Sequence, residues 1–215
     1  MLHNPAKAKL LAGYPAYGYS LAFGSPLVAE AMSGTGIDFV MIDTQHGSFG
    51  ADAVIASLIG ITAGGSVPMA RVARNDYTLI GRLLDDGALG IVVPMVDTAQ
   101  DAKRAADACR LPPVGTRSWG WGRAARYGPD YPDHANAEIF LAVQIESITA
   151  VENAEAILAT PEEWETVLSG TSEGGPVRLQ LPPRRDGHWL LWFSSLPLQG
   201  DGAYWVTIGE ITFNR

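Results

Sequence analysis

The chain has 215 residues, 47% of them hydrophobic and 18% charged. That is the composition of a soluble globular protein, and most simply of one domain with a sizeable core. A net charge of −8 argues against nucleic acid and against an anionic membrane surface as partners, so an anionic substrate would need a local positive pocket.

A single cysteine, Cys109, excludes an internal disulfide and a multi-cysteine zinc site. It fits a reducing compartment. The N-terminus lacks a signal-peptide core and no apolar run reaches membrane-spanning length, so the expected location is the cytoplasm with no membrane partner.

In chain order, the first expected strand is Tyr17 to Phe23. Ser25 then caps a helix that opens on Pro26 and runs to about Met32. Phe39 to Ile42 are four apolar residues in a row, the pattern of a buried parallel strand. This strand stops on Asp43, Gln45, His46 and Gly47. Asp43 and His46 stand three apart on a tight turn, a spacing that lets the carboxylate orient the imidazole. Alone, Asp-x-x-His is weak, and a strand end with a helix cap explains it as well.

A helix is expected from Asp52 to Ala63, closed by Gly64 and Gly65. Val67 to Val72 is a short strand around Arg71. Asn75 and Asp76 can cap a helix from Tyr77 to Asp86. Leu89 to Val96 is a fourth apolar strand, and Thr98 to Cys109 an amphipathic helix with Ala102, Ala105, Ala106 and Cys109 on one face. Val114 to Ser118 is a weak fifth strand, followed by a loop from Trp119 to Asp133. Ile139 to Glu146 is a clear sixth strand ending on a carboxylate, and Thr149 to Leu158 is its helix.

Strands thus alternate with helices every 25 to 30 residues or so, a βα repeat. Polar groups recur where strands end: Asp43 and His46, Arg71, Arg117, then Gln144 and Glu146. That register predicts an α/β fold of the (β/α) TIM-barrel type, with one functional group per strand on the carboxyl face. A doubly wound open sheet is the alternative, and it lacks a G-x-G-x-x-G or P-loop here.

Seven motifs occur in order: Gly24-Ser-Pro-Leu-Val-Ala-Glu-Ala, Asp38 to Gly47, Arg71 with Asn75-Asp76, Leu84-Asp85-Asp-Gly87-Ala, Pro94-Met-Val, Pro112 to Arg117, and Val143-Gln144-Ile-Glu146. Through them the chain resembles the HpcH/HpaI aldolase family, the metal-dependent (class II) pyruvate aldolases with citrate-lyase β-type relatives, over about residues 10–160.

The resemblance implies a (β/α)8 barrel, a homo-oligomer, and cleavage of a 4-hydroxy-2-oxo acid to pyruvate and an aldehyde with Mg²⁺, Mn²⁺ or Co²⁺. It implies His46 as the base, Asp43 as its orienting carboxylate, and Arg71 on the pyruvate and enolate oxygens. Glu146 would be a metal ligand and Gln144 would line the site. Thr44-Gln45 stands where many members have a glutamate before the histidine. Asp85, at a helix end, reads as structural rather than functional, and Arg117 could equally pair with a surface carboxylate. His3, His134 and His188 match no family position.

The resemblance ends near Pro161. The family's Gly-Pro-x-Asp-Leu loop, which brings the second metal carboxylate, is not found, and neither Asp186 nor Asp201 has a context that replaces it. Residues 161–215 differ in kind. They hold four of the six tryptophans and no lysine, and Val177 to Leu181 and Tyr204 to Phe213 alternate like antiparallel strands. The expected division is an aldolase-like barrel portion, 1–160, and a β-rich tail, 161–215, with strands seven and eight atypical. A shifted reading frame, a divergent replacement and an appended β-module all account for such a tail.

Two other functions compete with the aldolase: a non-catalytic barrel lacking the second metal ligand, and a CoA-ester lyase of the citrate-lyase β type. The latter would want a basic strip for a nucleotide tail, which the sequence lacks.

Overall fold

A computed structural model describes residues 2–120 and 122–159. The junction near 160–165, the tail strands, His188, Asp186 and Asp201 lie outside the described residues.

Five strands form one parallel sheet: β1 (Gly18–Leu21), β2 (Phe39–Asp43), β3 (Val67–Arg71), β4 (Gly90–Val93) and β5 (Phe140–Val143). Each pairs with the next in sequence, in the order β1-β2-β3-β4-β5. A doubly wound sheet reverses its strand order at a switch point, and no reversal occurs among these five. Consecutive parallel order is that of a (β/α) barrel. Val40, Ile42, Ala70, Ile91 and Leu141 are fully buried, as sheets of this class require on both faces.

The helices are α1 (Pro5–Leu11), α2 (Pro26–Ser33), α3 (Ala51–Gly64), α4 (Tyr77–Asp85), α5 (Ala99–Cys109), α6 (Tyr131–Glu138), α7 (Ile148–Glu152) and α8 (Ala154–Leu158). Their starts follow from side-chain caps. Ser25, Asp76, Thr98 and Ser147 each accept a hydrogen bond from a first-turn N–H, satisfying donors that have no helical partner. α3 crosses α2 closely because Gly60 and Gly64 share one face. A Cβ at Gly60 would lie 2.4 Å from the Pro26 carbonyl oxygen, and one at Gly64 2.4 Å from the Ser33 Cβ.

α1 closes the end of the sheet opposite the strand carboxyl ends. The Asn4 amide, buried, donates to the carbonyls of Leu89 (3.0 Å) and Glu138 (3.1 Å), just before β4 and β5. Its oxygen caps α1 by accepting from the Lys7 N–H.

Three expectations are corrected. Val114 to Ser118 is not a strand. Its N–H groups turn back to the end of α5: Gly115 to the Leu111 carbonyl, Thr116 to Asp107 and Arg117 to Arg110. β4 therefore pairs directly with Phe140–Val143, and the strand counted as sixth is the fifth. The strand numbers seven and eight assigned to the tail shift with it. Second, the segment expected as a loop from Trp119 to Asp133 contains a 3-10 turn, Arg123–Tyr127, and the start of α6. The helix expected from Thr149 to Leu158 is broken at Asn153, whose side chain donates instead to the Asp97 carbonyl (2.9 Å).

Candidate active site

The register of β2 on β3 sets Asp43 beside Arg71, each the last residue of its strand. Their side chains meet as a two-pronged pair, Nε to Oδ1 at 2.9 Å and Nη2 to Oδ2 at 2.5 Å. The pair is well covered, Asp43 7% and Arg71 18% exposed. Two planar charged groups locked in this way fix each other's orientation. The hydrogen bond from Arg71 is the main reason the Asp43 carboxyl is held down to about 2, against a burial effect that opposes it. Arg71 is raised in return, first by Asp43 and in lesser part by Glu146, so all three charges share one field.

The turn after β2 is built on the same carboxylate. Asp43 Oδ1 accepts from the N–H groups of Gln45 (3.0 Å) and His46 (3.3 Å). The Thr44 hydroxyl donates to the Arg71 carbonyl at 2.6 Å, tying the turn to β3. Gly47 closes it, because a Cβ there would sit 2.2 Å from the Asp43 carbonyl oxygen and 2.8 Å from that of Ala22. His46 is presented to solvent. Its ring has no hydrogen-bond partner among the described residues. Asp43 thus differs from the sequence expectation: it holds the His46 backbone and the Arg71 guanidinium, and with both oxygens engaged it does not reach the imidazole.

Glu146 lies just beyond β5 and is exposed. Its Oε1 accepts from the Met95 N–H at 2.8 Å, across from the end of β4. The parallel ladder continues to this level, since Gln144 N–H donates to the Val93 carbonyl and Val96 N–H to that of Gln144. Ser147 Oγ donates to Asp97 Oδ1 (2.5 Å), bracing the same two strand ends. The amide oxygens of Gln144 and Gln45 are buried without a hydrogen-bond partner.

Among the described residues no three His, Cys, Asp or Glu side chains gather as a ready-made metal site. What is present is one exposed carboxylate with an orphaned amide oxygen two residues before it. That set suits a hard divalent cation that keeps water and substrate oxygens in its shell.

Of the residues singled out from the sequence, the structure brings Asp43, Arg71 and Glu146 together, with His46 on the adjoining turn. Arg117 and Asp85 pair elsewhere, in a contact whose arginine is buried and whose carboxylate is partly exposed. Sequence reasoning missed Met95, whose φ of 53° is the only positive value at a non-glycine among the described residues. The Pro94-Met-Val motif marked the place without revealing this conformation.

The family model for HpcH/HpaI aldolase/citrate lyase matches residues 19–172. A 4-hydroxy-2-oxovalerate aldolase of Novosphingobium aromaticivorans is 40% identical over 161 residues, 73% of this chain and 61% of that protein. A hydroxypyruvate/pyruvate aldolase of Chromohalobacter salexigens is 41% identical, covering 74% of this chain and 63% of that one. A crystal structure of an HpcH/HpaI aldolase/citrate lyase family protein from Burkholderia cenocepacia superposes with a TM-score of 0.68 at 36% identity, over 74% of this chain and 65% of the other. The chain thus spans a little over three fifths of the length of the curated relatives it matches.

Proposed function

The chain belongs to the HpcH/HpaI aldolase/citrate lyase family, and on that premise we propose that it is a carbon–carbon lyase, cleaving a 4-hydroxy-2-oxo acid to pyruvate and an aldehyde. The observation that carries this reading is the oriented Arg71, set in the field of Glu146 beyond the strand ends with His46 on the next turn.

In the cleavage the C4 hydroxyl loses its proton, the C3–C4 bond breaks and C4 leaves as the aldehyde. The bonding pair moves through C3 to the C2 oxygen, and C3 then takes up a proton to give pyruvate. His46, solvent-facing and with its ring unengaged among the described residues, is the base for the hydroxyl proton. A guanidinium has five N–H donors. Two of those on Arg71 go to Asp43, leaving three to hold the carboxylate and the oxygen that becomes negative. Asp43 is a positioning residue: it aims Arg71 and shapes the turn that carries His46.

Glu146, with the Gln144 amide oxygen, would hold a divalent cation such as Mg²⁺, Mn²⁺ or Co²⁺. When bound, that ion supplies a Lewis acid for the 2-oxo group. Residues 161–215, a neighbouring copy in a homo-oligomer, or water would complete its shell.

The test is pyruvate release from 4-hydroxy-2-oxovalerate with Mg²⁺ or Mn²⁺, then with EDTA. Release is expected, lost with EDTA and reduced at least ~100-fold in His46→Ala, the usual scale for a removed acid–base group. A folded chain that releases no pyruvate would instead be a barrel without the chemistry.

A further inference from the structure

The carboxyl face carries a feature that the cleavage chemistry does not use. Large apolar side chains stand exposed on the segments that follow the strand ends: Phe23 (53%), Leu27 (77%), Met95 (52%) and Ile148 (78%). Phe23 follows β1 and bridges Ser48, on the turn that presents His46. Ile148 is two residues beyond Glu146 and opens α7.

Met95 is the most constrained of them. Its backbone adopts the left-handed conformation that side-chain-bearing residues avoid, and its N–H is held by the Glu146 carboxylate at 2.8 Å. Unfavourable backbone of this kind persists where the surroundings enforce it, and it clusters at ligand-holding sites. Here the Met95 N–H is held by Glu146, so the methionine stands next to the carboxylate proposed to hold the cation.

Among the described residues the charge around this rim is one-sided. The turns after β1, β2, β4 and β5 (residues 22–25, 44–50, 94–98 and 144–147) contain no lysine or arginine, and they contain Asp97 and Glu146. After β3, Arg71 is taken by Asp43 and, in the cleavage above, by the pyruvate half of the substrate. Arg74 is 74% exposed and lies 3.6 Å from Asp76. A second carboxylate on the aldehyde half of a substrate would meet apolar surface and negative charge, and the further cation that follows β3, Arg74, already lies against Asp76. Burying an unpaired carboxylate against such a surface is costly, whereas an alkyl chain gains from it.

We infer that Met95 and Phe23 line the subsite for the aldehyde half of the substrate, and that this subsite selects neutral aliphatic aldehydes over aldehydes bearing a carboxylate. This rests on the lyase reading above, so the experiment separates the two. Exchange of the pyruvate C3 protons in D₂O with Mg²⁺, followed by NMR, needs no aldehyde and reports the enolate chemistry alone. Aldol addition of pyruvate to propanal or butanal, against succinic semialdehyde, then reports the subsite.

Full-length wild type is expected to exchange and to favour the neutral aldehydes at least ~10-fold in kcat/KM. Met95→Lys and, independently, Phe23→Lys are expected to shrink that ratio several-fold by lowering KM for succinic semialdehyde. Exchange is read on each variant beside it. Exchange with no preference for neutral aldehydes, or a ratio that neither lysine variant moves, overturns the subsite and leaves the lyase reading standing. No exchange in the wild type overturns both.

Discussion

At the scale of single residues, Asp43 shows what a sequence can and cannot convey. Its place at the end of an apolar run was legible, since a buried strand that stops on an acid is visible in one dimension. Its partner was not. Three-residue spacing suggested the His46 ring, but the β2–β3 register puts Arg71 alongside, and a bidentate guanidinium outcompetes an imidazole across a turn. The pairing has a pH consequence. The folded chain holds Asp43 ionised down to about 2, below the ordinary carboxylate value near 4. The stability it contributes is therefore complete above about pH 4 and is lost as pH falls from about 4 through about 2. By linkage the loss approaches about 2 kcal/mol. Thermal melts from pH 5 to 2 should show wild type losing its midpoint through that window. Asp43→Asn should start lower and lose less, and parallel curves would remove Asp43 as a source of acid lability.

At the scale of elements, the strands and helices from β1 to α5 were readable because each combines an apolar period with a local stop or cap, whereas α1 was missed. Ser25–Pro26 and Asp76 are caps in the structure as in the sequence. The segment between α5 and β5 was not readable, because its order comes from one tertiary contact. The Arg117 side chain is fully buried. It donates to Asp85 at the end of α4 (2.8 Å) and to the Tyr131 hydroxyl at the start of α6 (3.0 Å), and it lies over the Tyr131 ring at 5.7 Å. Trp119 stacks on Tyr131 at 5.7 Å between ring centres. No local pattern announces a buried arginine that joins two helices and a loop. Breaking a buried pair by removing one partner leaves the other uncompensated, at a cost of several kcal/mol. Arg117→Met is expected to lower unfolding free energy by about 3 kcal/mol in urea titrations. The double change with Asp85→Leu should recover part of that, because no charge is then stranded. A double variant no better than the single one would assign the loss to packing on Tyr131 instead.

At the scale of the whole molecule, five consecutive parallel strands make a sheet with two ends. Among the described residues β1 and β5 each pair on one side only. β1 is also largely exposed, with Tyr17 just before it and Tyr19 within it each 42% accessible. Unpaired parallel edges with apolar neighbours invite association with other chains unless something covers them. A barrel removes the problem by closing, which for the eight-stranded form requires three strands more than these five. Composition divides the chain near residue 160, and the family match runs on to residue 172, past that division. These observations give opposite expectations for a chain ended after Ala159. If residues 1–159 were a self-sufficient domain, the shortened chain would melt cooperatively at the wild-type midpoint. The bare edges predict the other result: the shortened chain should aggregate at micromolar concentration and lose its cooperative transition, while the full chain keeps one. Light scattering and a thermal melt on the two chains in the same buffer decide between them. A shortened chain that stays monodisperse with an unchanged midpoint would mean that five strands, α1 and the helix layer suffice, and that the last quarter of the chain is a separate addition.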